Sequence, residues 1–451
     1  MIKKILFLTF LMTSISCDEN NKSSKIKMMT LDPGHFHAAL IQKTSYDEID
    51  STVDVYAADG PEVRDFLNKI KDYNSREEKP TNWLIRTHLS EYFLDSMIAQ
   101  KPGNVMVVSG KNSKKIDYIL AAVNAGLNVY ADKPLVINKE GFKKLEKVFK
   151  IAKEKNLLVY DIMTERFEVT TRIQKAISMN KNVFGTLVDG TLSDPAISKE
   201  SVHHLSKIVS GNPLVRPAWF LDTNQQGEGI VDVTTHLVDL VQWEIFPNQI
   251  LDISDVEIIS SKRWKTSIGL EQFKKITRLV EYPDYLLKDI ESDSLRIYCN
   301  GEINYTLKGK HAKVSVIWDY EAPPGTGDTH NSKMRGTKSD LVIKQGDMEN
   351  YKPTLYVISK TDKNFEKNLN EVLKSIRNEF PGVSAEKISN YKWKIIIPDT
   401  LKIGHEAHFS QVTNNYLKYF KEGKLPDWET PNMITKYYTT THAYQKAKEQ
   451  E

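Results

Sequence analysis

The stretch NVMVVSGKNSKKIDYILAAVNAGLNVYADKP (residues 104–134) decides how this chain folds. Asn104 to Val108 is a short, almost wholly apolar run that stops at Ser109-Gly110. Such a run, bounded by turn residues, reads as a strand buried on both faces. Lys114 to Ala125 reads as a helix, closed by Gly126. Asn128 to Ala131 is a second apolar strand, ending at Asp132-Lys133-Pro134. Strand, helix and strand in about 30 residues make one βαβ unit, whose two strands run parallel.

The same rhythm extends in both directions. Upstream, Met28 to Leu31 is a strand, Asp32-Pro33-Gly34 a turn, and His35 to Lys43 takes helical character. Val53 to Ala58 is a further strand ending at Asp59-Gly60-Pro61, followed by a helix over Glu62 to Ile70 and a charged surface excursion over 71–80. Downstream, Glu140 to Lys155 is helical and Leu157 to Tyr160 is again a strand. Residues 26–162 are therefore predicted to form a doubly wound parallel α/β domain.

Past Glu165 the pattern changes. A helix over Thr170 to Met179 leads into an alternating strand over Phe184 to Leu192. Strands then follow without helices between them, at 255–260, 294–298, 302–307, 312–318, 339–343, 354–359 and 391–397. Residues 163–451 are predicted to be an α+β domain with a large, open, mostly antiparallel sheet, closed by helices from about His405 to Glu422 and Pro431 to Lys446. A chain of 451 residues suits two such domains.

Charge excludes one class of partner. The 62 basic and 59 acidic residues leave a net charge of +3, and the lysines are scattered, so no nucleic-acid partner is expected. The first residues have their own pattern. Met1-Ile2-Lys3-Lys4 is basic, Ile5 to Met12 is almost wholly apolar, and Ser14-Ile15-Ser16-Cys17 resembles a loose lipobox. The apolar run is too short to span a bilayer, which takes about 20 residues. Residues 1–17 read as an export signal with Cys17 as the lipidated residue, and 18–26 as a tether, so the membrane enters only through the lipid anchor. Plain secretion with an incidental cysteine is the other reading. Cys299, the second of the two cysteines, sits in an apolar alternating stretch and reads as a buried strand thiol.

In an open α/β sheet, ligands bind beyond the carboxyl ends of the strands. Asp32-Pro33-Gly34-His35-Phe36-His37 stands at such an end, where a phosphate-binding turn would be. Only the middle glycine of a G-x-G-x-x-G pattern is present, with Asp32 and His37 in place of the outer two. A tight turn without a nucleotide is the bland alternative. Asp59 ends the next strand, where a carboxylate accepts from a ribose or caps the following helix. Lys133, held by the proline after it, ends a third strand. Later, Gly227-Glu228-Gly229 precedes a stretch with helical apolar spacing, in which Asp232, His236 and Asp239 fall on one helix face. An acid and a histidine so placed can orient a substrate hydroxyl and move its proton, although a buried, hydrogen-bonded histidine fits the same spacing. No metal centre is expected: the Asp232–His236 pair would need a third ligand from His203-His204 or from His405 and His408.

Two of these segments carry a family resemblance. Asp132-Lys133-Pro134 resembles the Glu-Lys-Pro signature of the glucose–fructose oxidoreductase / inositol dehydrogenase (Gfo/Idh/MocA) family. Gly229 through Asp239 resembles the second signature of that family, a glycine run followed by Asp-x-x-x-His. Gly325-Thr326-Gly327-Asp328-Thr329-His330, Met334-Arg335-Gly336 and Pro431-Asn432-Met433 resemble an oxidoreductase C-terminal domain of exported Bacteroidetes-type members. The resemblance implies an N-terminal Rossmann domain binding NAD or NADP, with NAD favoured by Asp59 and tight retention favoured outside the cytoplasm. It implies a second domain whose sheet floors the substrate site and can serve as a homo-oligomer face. On matching positions, Lys133 would polarise or deprotonate the hydroxyl, His236 would be the acid/base and Asp232 would orient the substrate and the histidine. Gly34, His35, Phe36, His37, Asp59, Ser109, Asn112 and Asp132 would contact the cofactor, and Asp239, His330, Arg335 and His405 the substrate. Three functions remain open: a nicotinamide-dependent sugar or glycoside oxidoreductase of the cell envelope, a redox-neutral glycoside hydrolase recycling one NAD, or a sugar-binding lipoprotein that has lost the cofactor.

Overall fold

The computed structural model describes residues 25–209, 212–361 and 364–450. The export signal, Cys17 and nearly all of the tether fall outside the described residues. No helix among the described residues is long and apolar enough to cross a membrane.

Six strands form the first sheet: β1 (Met28–Leu31), β2 (Thr52–Ala57), β3 (Leu84–Leu89), β4 (Val105–Val108), β5 (Asn128–Asp132) and β6 (Val159–Ile162). Their order is β3-β2-β1-β4-β5-β6, all parallel, which is the doubly wound Rossmann arrangement. The expected fold class therefore stands. Residues alternate between two apolar layers, Val105 and Val107 on one face, Met106 and Val108 on the other. The edge strand β3 has no counterpart in the sequence reading. Its sequence LIRTHL is mostly exposed, so it lacks the continuous apolar run of the inner strands.

The second sheet is mixed and mostly antiparallel, with the strands Val256–Gly269, Ser294–Leu307, Lys310–Glu321, Ile197–Ser206, Thr329–Arg335, Ser339–Lys344, Thr354–Ser359, Lys392–Ile396 and Ser384–Ser389 as neighbours in that order. Ile197–Ser206 pairs parallel with Lys310–Glu321, and the other pairs along this order are antiparallel. The strand expected over Phe184 to Leu192 is a correction. Only isolated bridges form there, at Leu187 and Gly190, because Gly185 and Gly190 take positive φ values of 79° and 74°. Backbone pairing passes instead to the polar segment Ile197–Ser206.

The C-terminal helices return to the first domain. Phe409, Val412, Tyr416 and Leu417 of the helix His405–Glu422 join the apolar layer on one face of the parallel sheet. Met433 and Tyr437 of the helix Glu429–Glu449 join the layer on the other face. Where that second helix crosses between the domains it buries a charged network. The Lys436 ammonium, with no exposed surface, donates to Asp239 at 2.9 Å and lies 2.8 Å from Asp161 of β6. The Tyr437 hydroxyl donates to Asp161 at 2.7 Å. Arg166 donates to both oxygens of Asp239 at 2.6 and 2.7 Å and to Glu429 at 2.9 Å. Removing one partner strands the remaining charges in a dry site, at a cost of about 3–5 kcal/mol. Lys436→Ala is expected to lower unfolding stability by roughly that amount in urea titration, while exposed Lys448→Ala stays within about 0.5 kcal/mol of the parent.

Candidate active site

The carboxyl ends of β1, β4 and β5 open onto a cavity of about 700 Å³ that the second domain covers. His35, Phe36 and His37 reach it from the turn after β1, Gly110 and Asn112 from the turn after β4, and Asp132 and Lys133 from the end of β5. Asp232 and His236 face them, with Phe220, Trp318, His203, Lys207, Arg216 and Asp328 on the far wall. The Lys133–Pro134 peptide is cis.

The glycine run before Asp232 has a steric reason. Gly227 takes a φ of 92°. A Cβ on Gly229 would lie 1.8 Å from the carbonyl oxygen of Cys299, and one on Gly301 would lie 2.6 Å from Ile230. Backbone thus presses directly on backbone of the strand Ser294–Leu307. That contact holds residues 230–233 as a turn and delays the helix to Thr234–Ile245. Asp232 therefore precedes the helix and projects toward β5. Its Oδ1 accepts from the Lys133 ammonium at 2.7 Å and its Oδ2 from Gln226 at 3.0 Å. Burial alone would raise the Asp232 carboxyl, but the Lys133 ammonium holds it below the usual carboxylate value. Asp232 thus orients Lys133, and among the described residues it makes no hydrogen bond to His236, which the resemblance implied it would orient.

His236 lines the cavity. Its Nδ1 is buried and finds no partner among the described residues. Burial, reinforced by the charge of Lys133, holds the imidazole well below 6.5, so its neutral form prevails.

Two expected substrate residues are corrections. Asp239 is satisfied by Arg166 and Lys436 and belongs to the domain junction. Arg335 donates to the Asp194 backbone at 2.6 Å and pairs with its carboxylate, outside the cavity lining. His330 and His405 do line the cavity. Among the expected cofactor contacts, Ser109 lies behind the surface, its hydroxyl donating to Asp132 Oδ2 at 3.0 Å. Asp59 is exposed at the end of β2 and paired with Arg64 at 2.8 Å. Gly34 packs against Trp219, whose ring would lie 3.4 Å from a Cβ there.

Several wall residues escaped the sequence reading. Asp328 accepts from the backbone of His204 at 3.0 Å, lies 2.9 Å from His203 Nδ1, and pairs with Lys207. The Arg216 guanidinium packs on the rings of Phe220 and Trp318, 4.4 and 5.1 Å from their centroids. Burial pushes the Glu165 carboxyl up to about 7. Asp328 belongs to the Gly325–His330 segment, but nothing in its spacing links it to histidines 124 residues away.

A family model described as "Putative oxidoreductase C terminal domain" matches residues 173–448. The crystal structure of a "putative oxidoreductase" from Parabacteroides merdae is 52% identical, with a TM-score of 0.93 over 95% of this chain and 98% of that one. Levoglucosan dehydrogenase in complex with NADH and levoglucosan has a TM-score of 0.59 at 12% identity, covering 94% and 98% of the two chains. Myo-inositol 2-dehydrogenase from Lactobacillus plantarum has 0.54 at 12%, covering 95% and 98%. No curated protein matches. The fold and cavity are those of a two-domain Rossmann oxidoreductase. The chain belongs to the oxidoreductase family defined by that C-terminal domain, and the Gfo/Idh/MocA resemblance of its two signatures stands.

The cavity histidines also set a pH response. Burial lowers His330 to about 3 and His408 to about 4, from an ordinary 6.5. The unfolded chain then binds protons the folded chain refuses, so this stability is full above pH 6.5 and is lost as pH falls through the window. Glu165 and Glu228, both raised to about 7 by burial, act in the opposite sense. A comparison with His330→Gln isolates one group: the stability difference between parent and variant is expected to shrink steadily from about pH 7 to about pH 4 in denaturant titrations. A constant difference would contradict the buried, neutral imidazole.

Proposed function

We propose that this protein is an NAD(P)-dependent oxidoreductase acting on a hydroxyl of a sugar or glycoside in the cell envelope. One observation carries the reading: Lys133, held by Asp232, and His236, buried and unprotonated, line the same cavity at the carboxyl ends of the Rossmann strands. His236 accepts the hydroxyl proton, and the Lys133 ammonium stabilises the oxygen as negative charge develops. Asp232 fixes the ammonium in place. Bound nicotinamide would supply the hydride acceptor.

The residues present suit such a cofactor. The crevice lies at the switch between β1 and β4, the usual nucleotide address. Its volume falls within the range of ligand pockets, about 300–1,000 Å³. The Trp219 indole N–H is buried without a partner among the described residues, in a ring lying against Gly34, so a donor is present beside the diphosphate turn. Asp32, which would repel a diphosphate, accepts from the Tyr118 hydroxyl at 3.1 Å and has its pKa raised by burial. Gly34, His35, Phe36, Gly110 and Asn112 would contact the cofactor. Asp59 favours NAD over NADP, because a carboxylate at the end of β2 repels a 2′-phosphate.

The sugar reading draws on the far wall. Phe220 and Trp318 offer apolar ring faces, while His203, Lys207 and Asp328 offer hydrogen-bonding edges, the combination that a polyol with one apolar face requires. The family neighbours include a levoglucosan and an inositol dehydrogenase. Placement in the envelope, through a lipid on Cys17, rests on residues 1–17. Glu165 favours a second reading. A buried carboxyl near pH 7 in the cavity can protonate a glycosidic leaving group, as the redox-neutral hydrolase requires.

Denaturing the purified protein and identifying released NAD(P), then assaying sugars and aryl glycosides with and without cofactor, separates the functions. NADH formation supports net oxidation, and glycoside cleavage without net NADH supports the hydrolase. Absence of cofactor by both routes leaves the binding protein. Lys133→Ala and His236→Ala are each expected to cut kcat by about 10²-fold or more. Near-parental rates in both would remove the site assignment.

A further inference from the structure

Among the described residues, one group of histidines and carboxylates has the geometry of a cation site: His35, His37 and Asp132, whose ligand atoms all lie within 4.8 Å of one another. His37 Nδ1 is 3.0 Å and His35 Nδ1 is 3.5 Å from the same oxygen, Asp132 Oδ2. Four-coordinate zinc, bound at about 2.0–2.1 Å, sets its ligand atoms roughly 3.3 Å apart. The two measured separations bracket that value. The backbone N–H of His37 donates to His35 Nδ1 at 3.4 Å, which leaves that nitrogen without a proton beside the carboxylate. Two electron-rich atoms held 3.5 Å apart in a buried site are placed for a positive charge between them.

Further features match metal ligation. The Ser109 hydroxyl donates to Asp132 Oδ2 at 3.0 Å, the kind of outer hydrogen bond that orients a ligating carboxylate. All three residues line the cavity, so a bound ion keeps positions open toward its contents. They come from the ends of β1 and β5, two strands apart, and Asp132 directly precedes Lys133.

We propose that His35, His37 and Asp132 bind one first-row divalent cation, of the zinc or cobalt class, with open coordination positions facing the cavity beside Lys133. Two imidazoles and one carboxylate are a donor set for such ions, whereas magnesium and calcium prefer oxygen alone. The ion's open positions take oxygen ligands, either water or a hydroxyl of the cavity's ligand. The sequence spacing predicts no metal, because it points to Asp232 and His236 as the pair in need of a third ligand and not to the turn after β1.

Cobalt(II) is the probe. Protein stripped with chelator and dialysed against CoCl₂ is expected to retain about one equivalent and to show the intense visible bands of a four- or five-coordinate ion. Added zinc displaces them. His37→Ala and Asp132→Asn should each weaken cobalt binding at least about tenfold, judged from the known sensitivity of metal sites. His35→Ala, on the cavity wall, gives the same outcome if Asp132→Asn fails to fold. Parent protein that retains no cobalt would overturn the proposal, as would folded variants that bind it as well as the parent. Turnover is not read in this experiment, so its failure and that of the nicotinamide reading are told apart.

Discussion

The buried ammonium of Lys436 bridges two carboxylates from different parts of the chain. Asp161 belongs to the last strand of the Rossmann sheet, Asp239 to the helix that comes after the Asp232 turn, and Lys436 to the C-terminal helix. Arg166 and Glu429 extend the pairing. Such a network is costly to desolvate and gains its stability only when every partner is in place. It therefore selects one relative position of the two domains and disfavours neighbouring ones. Lys133 meets Asp232 at 2.7 Å across the same junction, so the geometry of the cavity depends on that selection.

The cavity itself is an electrostatic consequence of burial. Seven of the eleven histidines line it, together with Asp132, Glu165, Asp232 and Asp328. Burial lowers His35, His203, His236, His330, His405 and His408 and would drive the carboxyls neutral too, unless a cation stands close. The carboxyls divide on that condition. Asp232 beside Lys133 and Asp328 beside Lys207 and His203 stay charged, while Glu165, raised by burial and by the like-charged Glu168, rises to about 7. One enclosed space thus holds both proton acceptors and a potential proton donor, which is what hydroxyl chemistry requires.

The parallel sheet was legible in the sequence because inner strands, buried on both faces, leave continuous apolar runs such as Val105 to Val108. The edge strand β3 and the strand Ile197–Ser206 left no such trace. One is mostly exposed, and the other interrupts its apolar residues with Lys199, Glu200, His203 and His204. Lys133 and His236 could be singled out by motif and spacing, one directly after β5 and the other in the first turn of the helix Thr234–Ile245. Asp239 could not be placed correctly. Helical periodicity aligned it with His236, but no local signal disclosed that Arg166 and Lys436, 73 residues before and 197 after it, would claim its oxygens.

The turn after β1 bears the physical consequence of losing the glycine pattern. In a glycine-rich turn, free backbone amides approach a diphosphate directly. Here the Gly34 amide donates to Asp32 at 2.8 Å and the His35 amide to Ser109 at 3.1 Å, so both are already occupied. On the proposed function, recognition at this address falls to side chains, among them the imidazoles of His35 and His37 that line the cavity. Side-chain donors are adjustable in pKa and in metal affinity where amides are not. The absence of the two outer glycines thereby leaves side chains, not free amides, as the groups this turn presents to the cavity beside Lys133.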